Sequence, residues 1–278
     1  MHTPLCKHAH GEPAAYAEQA LAAGLERITF TCHSPMPDGF WPEVRMDEDQ
    51  FPLYLEMIED CRRRFAGRLE VCPGLEADFF PGTEDWMARL LDSVELDHVL
   101  GSVHWQGGEY QQRFWRGDHA DFVRSYFDQL AASAECGLFD TLAHPDLIKN
   151  FHPDLWHFDT FEPVIAAALD RIAAAGTAME FNTSGRNKLS GEFNPSARML
   201  GMMAARGIPV VIGSDSHVPR RVGDAFGEAL DWIDRAGYSD VSLFRRRQRY
   251  QVSIEDARQV VARSAVGGSR RGSPASVA

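Results

Sequence analysis

The chain lacks what several large classes of protein require. No stretch approaches the ~18–20 consecutive apolar residues of a membrane-spanning helix, and the N-terminus has neither the basic nor the apolar region of a secretion signal. Cysteine is sparse and scattered (Cys6, Cys32, Cys61, Cys72 and Cys136), odd in number and without a C-x-x-C pair. That usage argues against a disulfide framework and predicts reduced thiols in a cytoplasmic protein. Positive charge is also scarce. The formal net charge of −12 argues against broad binding to nucleic acid or to an anionic membrane. It leaves room for an anionic small-molecule substrate, because bound divalent cations reverse the local sign.

What remains is an ordinary globular composition, 44% hydrophobic and 24% charged over 278 residues, enough for one large domain. Short β-like runs alternate with helical segments. Helices are expected over 13–23, 49–65, 83–91, 119–136, 160–175, 195–206 and 224–235, with Gly24, Gly176 and Gly207 as C-terminal stops and Thr83 as an N-cap. Six β-like runs follow residue 26: 27–32, a run from 69, 97–103, 140–143, 178–181 and 209–213. This alternation predicts an α/β fold with a parallel sheet or barrel and helices outside. The boundaries expected are one domain over 1–262 and a disordered Gly/Ser/Arg tail over 263–278.

Chemistry-bearing residues gather where the β-like runs end. His33 follows the first, Glu76 the second, His104 the third, His144 the fourth, and Asp215 and His217 the last. In (β/α) barrels the reactive face lies at the C-terminal ends of the strands, so these side chains are expected on one rim, joined by His2 and His8. Taken singly, each histidine could serve as a cap or a core hydrogen-bonder. Jointly, six imidazoles and two carboxylates exceed the needs of one tetrahedral ion and suit two or three divalent metals, Zn, Mn or Fe. Closely spaced metals can deprotonate a shared water and clamp the oxygens of an in-line phosphoryl displacement. Arg186 is the candidate phosphate clamp, and Glu180 a candidate partner for a substrate ammonium or imidazole. Cys6 could serve as a zinc ligand by its chemistry, but reads first as a small buried side chain.

The assembled motifs resemble the PHP (polymerase and histidinol phosphatase) superfamily, and within it the PHP-type histidinol-phosphatases. They are Met1-His2-Thr3 with Cys6-x-His8-Ala9, Thr31-Cys32-His33-Ser34-Pro35, Gly74-Leu75-Glu76, Gly101-Ser102-Val103-His104, Leu142-Ala143-His144-Pro145-Asp146, Asn182-Thr183-Ser184-Gly185 and Gly213-Ser214-Asp215-Ser216-His217. The resemblance implies a distorted seven-stranded (β/α) barrel with a trinuclear site. His2, Glu76 and Asp215 would hold one metal; Glu76 would bridge to a second, held by His104 and His144; His8, His33 and His217 would hold the third. Either Asp215 or His217, the candidate catalytic residues, would orient the nucleophile or pass a proton to the leaving alkoxide. The implied reaction is hydrolysis of L-histidinol phosphate in histidine biosynthesis. Other expectations are a PHP phosphoesterase acting on nucleotide-like phosphates, or a non-catalytic metal-binding protein.

The family's first motif is Asp-x-His-x-His, and only its second half stands here, with Met1 just before His2. Strand one is therefore expected to be missing or incomplete, with weak binding of the first metal if the chain starts at Met1.

Overall fold

The computed structural model describes residues 1–268. Its centre is a parallel sheet of six strands, β1 (Arg27–His33), β2 (Glu70–Asp78), β3 (His98–Ser102), β4 (Thr141–Leu142), β5 (Ala178–Asn182) and β6 (Val210–Gly213). They lie in simple sequential order. Each matches one of the six β-like runs, with ends moved by a few residues. Buried on both faces, β3 and β5 read as apolar runs rather than alternating ones, as parallel strands covered by helices do.

The helices are α1 (Pro13–Ala22), α2 (Phe51–Phe65), α3 (Glu84–Asp92), α4 (Gly108–Phe114), α5 (His119–Glu135), α6 (Phe158–Ala175), α7 (Ala197–Ala205), α8 (Phe226–Arg235) and α9 (Ile254–Gly268). The glycine stops behave as expected: Gly24, Gly176 and Gly207 have φ of 70°, 74° and 64°, a region that costs glycine little. Thr83 does stand at the start of α3, but its hydroxyl donates to Phe80 O rather than capping the helix. Among the described residues no helix is long and apolar enough to cross a membrane.

Two features depart from the sequence reading. A hairpin of β7 (Asp240–Arg245) and β8 (Gln248–Ser253) follows α8. Its Arg-rich turn satisfies acids from far along the chain: Arg245 pairs with Glu70, Arg246 N donates to Asp97, and Arg247 pairs with Asp140. Those acids sit at or next to the N-terminal ends of β2, β3 and β4, so the hairpin covers the end of the sheet opposite the strand termini that carry His33, Glu76 and His104. Across the boundary expected at 262, α9 continues to Gly268. The remainder of the expected tail, 269–278, lies outside the described residues.

The sheet curls, since side chains from β1, β3 and β6 line one interior cavity of about 550 Å³. β1 and β6 are its two edges. At their C-terminal ends the first residues bridge the two, Thr31 N donating to Met1 O and His2 N to Ser216 O.

Candidate metal centre

Strand parity decides which side chains meet. Residues two apart on a strand share a face, so Glu76 and Asp78 at the end of β2 point to the same side. In β1, His33 is paired in register with Glu76. His104, His144, Asp215 and His217 follow β3, β4 and β6 by two to four residues. Two of these residues hold backbone conformations that L-residues seldom adopt, His144 at φ 28° and Asp215 at φ 44°. Such positions cost of order 1–3 kcal/mol and persist when the surroundings over-determine them. For His144 the restraint is visible: its N–H donates to Glu180 Oε2 at 2.9 Å.

All eight sequence-derived ligands converge. Glu76 is the hub. Its Oε1 stands 3.0 Å from His144 Nε2 and 3.3 Å from His104 Nε2, and its Oε2 stands 3.3 Å from His2 Nε2 and 3.8 Å from His33 Nδ1. Asp215 Oδ1 lies 3.1 Å from His2 Nε2 and 3.4 Å from His217 Nδ1. The His2 and His217 rings stack with centroids 3.9 Å apart, and His8 is 4.5 Å from His217 and 5.4 Å from His33.

The electrostatics follow from crowding. Burial opposes the charge on Glu76, but His33 together with hydrogen bonds from His104, His144 and His2 hold its carboxyl well below the usual range. Asp215 is also held low, against burial, by His217, His2 and Lys188. Burial lowers His33 strongly and pushes His217 down to about 3. Two other rings move the opposite way: against burial, Asp215, Cys32, Cys6 and Glu76 raise His2 well above its usual value, and Asp78 and Glu76 raise His104 to about 9, so these two release a proton when an ion binds.

The donor set fits divalent cations. Two carboxylates face nitrogens of neighbouring imidazoles, and several buried nitrogens have no hydrogen-bond partner: His2 Nδ1, His33 Nδ1, His144 Nδ1 and His217 Nε2. Outer contacts fix three rings. His8 Nδ1 bonds Cys6 O at 2.7 Å, His217 Nδ1 bonds Asp215 O at 3.0 Å, and His104 Nδ1 bonds Asp78 Oδ1 at 2.6 Å, leaving Nε2 of each as the free donor. Groups with donor atoms within 4.8 Å of one another include His2/Glu76/Asp215, His33/Glu76/His104 and His2/His33/His217. The first reproduces one expected ligand set. The second brings His33 to the Glu76–His104 side, where the resemblance implied a different metal. Cys6, as expected, is fully buried.

Two substrate residues fall elsewhere. Arg186 is exposed, donates to Glu228 Oε2 at 2.6 Å and lies over Phe193; it does not line the pocket above the ligands. The cation that does is Lys188, with Trp41, Gln106 and Leu147 completing the walls. The reason is local geometry: residues 183–187 form a 3-10 turn, which sends position 186 outward and 188 back. Glu180 is buried and engaged by His144 N and by Asn182 Nδ2 at 2.9 Å, facing the interior cavity rather than this pocket. Its carboxylate is thus engaged by the backbone of the His144 turn. Asp78 and Arg45 are part of the site and were not singled out from the sequence; Asp78 was legible by its i+2 spacing from Glu76, whereas Arg45 gave no signal.

A rim of histidines and acids at the ends of parallel strands defines a candidate metal-dependent hydrolase site on a curled (β/α) sheet. The chain belongs to the PHP domain family, whose pattern matches residues 1–184. It is 41% identical over 256 residues to a probable histidinol-phosphatase of Deinococcus radiodurans, covering 90% of this chain and 96% of that protein. It is 27% identical to the histidinol-phosphatase of Bacillus subtilis, covering 83% and 97%. The fold also matches the crystal structure of histidinol phosphate phosphatase from Lactococcus lactis complexed with zinc, L-histidinol and phosphate, with a TM-score of 0.77, 19% identity, and coverage of 90% of this chain and 97% of that one.

Proposed function

We propose that this PHP enzyme is a phosphoric monoester hydrolase that converts L-histidinol phosphate to L-histidinol and phosphate, in the cytoplasm, as a step of histidine biosynthesis. The observation that carries the reading is the Glu76 hub, a buried carboxylate within 3.8 Å of four imidazoles. It is joined to the high identity with a probable histidinol-phosphatase along nearly the whole chain.

Two to three divalent ions, zinc among them, suit His2, His8, His33, Glu76, His104, His144, Asp215 and His217. When bound they would neutralise phosphate oxygens and lower the pKa of a water. The residues do the rest. Lys188 faces the same pocket as Asp215 and His217 and is placed to pair with a phosphate oxygen as a point charge. Trp41, Gln106 and Leu147 offer a flat apolar surface and an amide to the rest of the substrate. Asp215 accepts from Ser184 Oγ at 2.9 Å on one oxygen, and its other oxygen faces His2 and His217. Asp215 and His217 line the pocket and would orient the attacking water.

Steady-state assays of L-histidinol phosphate against nucleoside monophosphates, with added Zn²⁺ or Mn²⁺, test the reading. Preference for histidinol phosphate is expected; preference for nucleotides would reject it in favour of another phosphoesterase activity.

A further inference from the structure

We propose that Asp78 and Arg45 form a positioning pair that sets the metal-binding face of His104 and ties it to the Trp41 wall of the pocket. The inference rests on the metal reading of the site. Asp78 ends β2 on the same face as Glu76. Its Oδ1 accepts from His104 Nδ1 at 2.6 Å, and its Oδ2 accepts from Arg45 Nη2 at 2.6 Å. Both residues are buried, at 3% and 2% exposure. With Nδ1–H directed to Asp78, the neutral ring that binds an ion would carry its lone pair on Nε2, which stands on the Glu76 side, 3.3 Å from Oε1. A buried ionised carboxylate needs partners on both oxygens, and Arg45 supplies the second.

Arg45 reaches further. Its Nη1 donates to Ser34 O at 3.0 Å, directly after His33, and its Nε donates to Trp41 O at 3.1 Å. Trp41 sits at φ 42°, a conformation that a bulky residue keeps only under restraint. A second restraint is Glu109, whose Oε1 accepts from Trp41 N at 3.0 Å. The Trp41 ring then stands 5.7 Å from the His104 ring. One guanidinium therefore links two ligand-bearing strand ends to the aromatic wall. The two duties are separable: Asp78 governs ion binding, Glu109 governs only the wall, and Arg45 governs both.

The test uses the full chain and its D78N, D78E, R45M and E109A variants. Bound ions are counted by elemental analysis, Zn²⁺ affinity is measured by chelator competition, Co²⁺ absorption is recorded, and KM and kcat are determined separately. D78N should weaken one class of ion by about 10–100-fold, the usual effect of losing an outer partner, change the Co²⁺ spectrum, and be partly rescued in D78E. E109A should keep ion count and spectrum while raising KM. R45M should show both defects. On the wild-type protein, NMR should find a downfield His104 Nδ1–H proton in the Zn²⁺-loaded state, a reading that needs no variant to fold. Wild-type ion affinity and spectrum in D78N, or absence of that proton, would overturn the Asp78 role alone. An unchanged KM in E109A would overturn the wall coupling. A wild-type chain that binds no ions would overturn the metal reading and this inference together.

Discussion

Gly213 in β6 leaves the space that the Glu180 carboxylate of β5 occupies: a Cβ at position 213 would stand 1.7 Å from Glu180 Oε1. The two strands lie side by side with Glu180 in register with Val211 and Asn182 with Gly213. Glu180 in turn holds the N–H of His144. A missing side chain on one strand thus permits the carboxylate that shapes a ligand-bearing turn on another. Gly213→Ala should therefore displace Glu180, loosen the His144 turn and lower Zn²⁺ affinity. Chelator competition checks this, and wild-type affinity in the variant would refute it.

Replacing the hub should be more severe than replacing any outer partner. Glu76→Gln is expected to lower ion content and reduce kcat/KM by more than about 100-fold, the upper range for outer-partner losses. Elemental analysis alongside steady-state kinetics measures both. Removal of ions from the wild-type chain by chelation should likewise lower its thermal midpoint, because ions that bind only the folded state add about 2.7 kcal/mol at one hundred times their Kd. Re-addition of Zn²⁺ should restore it.

The two cations near the site should separate cleanly. Lys188→Ala is expected to reduce kcat/KM by about 10–100-fold, in keeping with the ~1.5–3 kcal/mol of a charged hydrogen bond. Arg186→Ala, which breaks an exposed pair with Glu228, should change it by less than about threefold. Equal losses in the two variants would return Arg186 to the site.

A buried ion pair anchors the loop that approaches the pocket. Lys149 and Asp146 are both fully buried, 3.1 Å apart, and Lys149 Nζ also donates to Phe193 O. Asp146 accepts from Ser196 N at 2.8 Å. Lys149→Met leaves Asp146 without its cation and should destabilise the fold by about 3–5 kcal/mol, read by chemical denaturation.

Acid stability should carry a signature of His98. This ring is buried, stacked on Phe244 and bonded to Thr141 Oγ1 at 2.8 Å, and burial lowers its pKa from 6.5 to about 3. The unfolded chain then binds a proton that the folded chain refuses. Stability due to this group is intact above about pH 6.5 and falls as pH drops toward 3, by up to about 1.4 kcal/mol per pH unit. His98→Phe should flatten that part of the profile in denaturant titrations at pH 4, 5 and 6.5; an unaltered slope would exclude His98 as its source.

Several things were legible in the sequence for simple reasons. The six strand runs stood out because strands buried on both faces are continuous apolar stretches. The helix ends were marked by glycines that the backbone needs at positive φ. Six of the eight candidate ligands could be found because a parallel sheet brings the C-terminal ends of its strands to one rim; His2 and His8 precede β1 and are carried by the N-terminal motif instead. The β7–β8 hairpin was hidden because its charged turn looks solvated until Glu70, Asp97 and Asp140, far away in the chain, neutralise it.

By itself, then, the sequence determined the α/β alternation and the inventory of candidate ligands, since both depend on local pattern and on strand order. Tertiary structure alone decided how those ligands are shared. It put His33 beside Glu76 and His104, turned Arg186 to Glu228 while Lys188 faced the pocket, committed Glu180 to the His144 backbone, and brought Arg45 onto Asp78. Each of those outcomes turns on a few ångströms of side-chain direction, set by strand parity, one 3-10 turn and the space a glycine leaves, and none of these is written in the spacing of residue types.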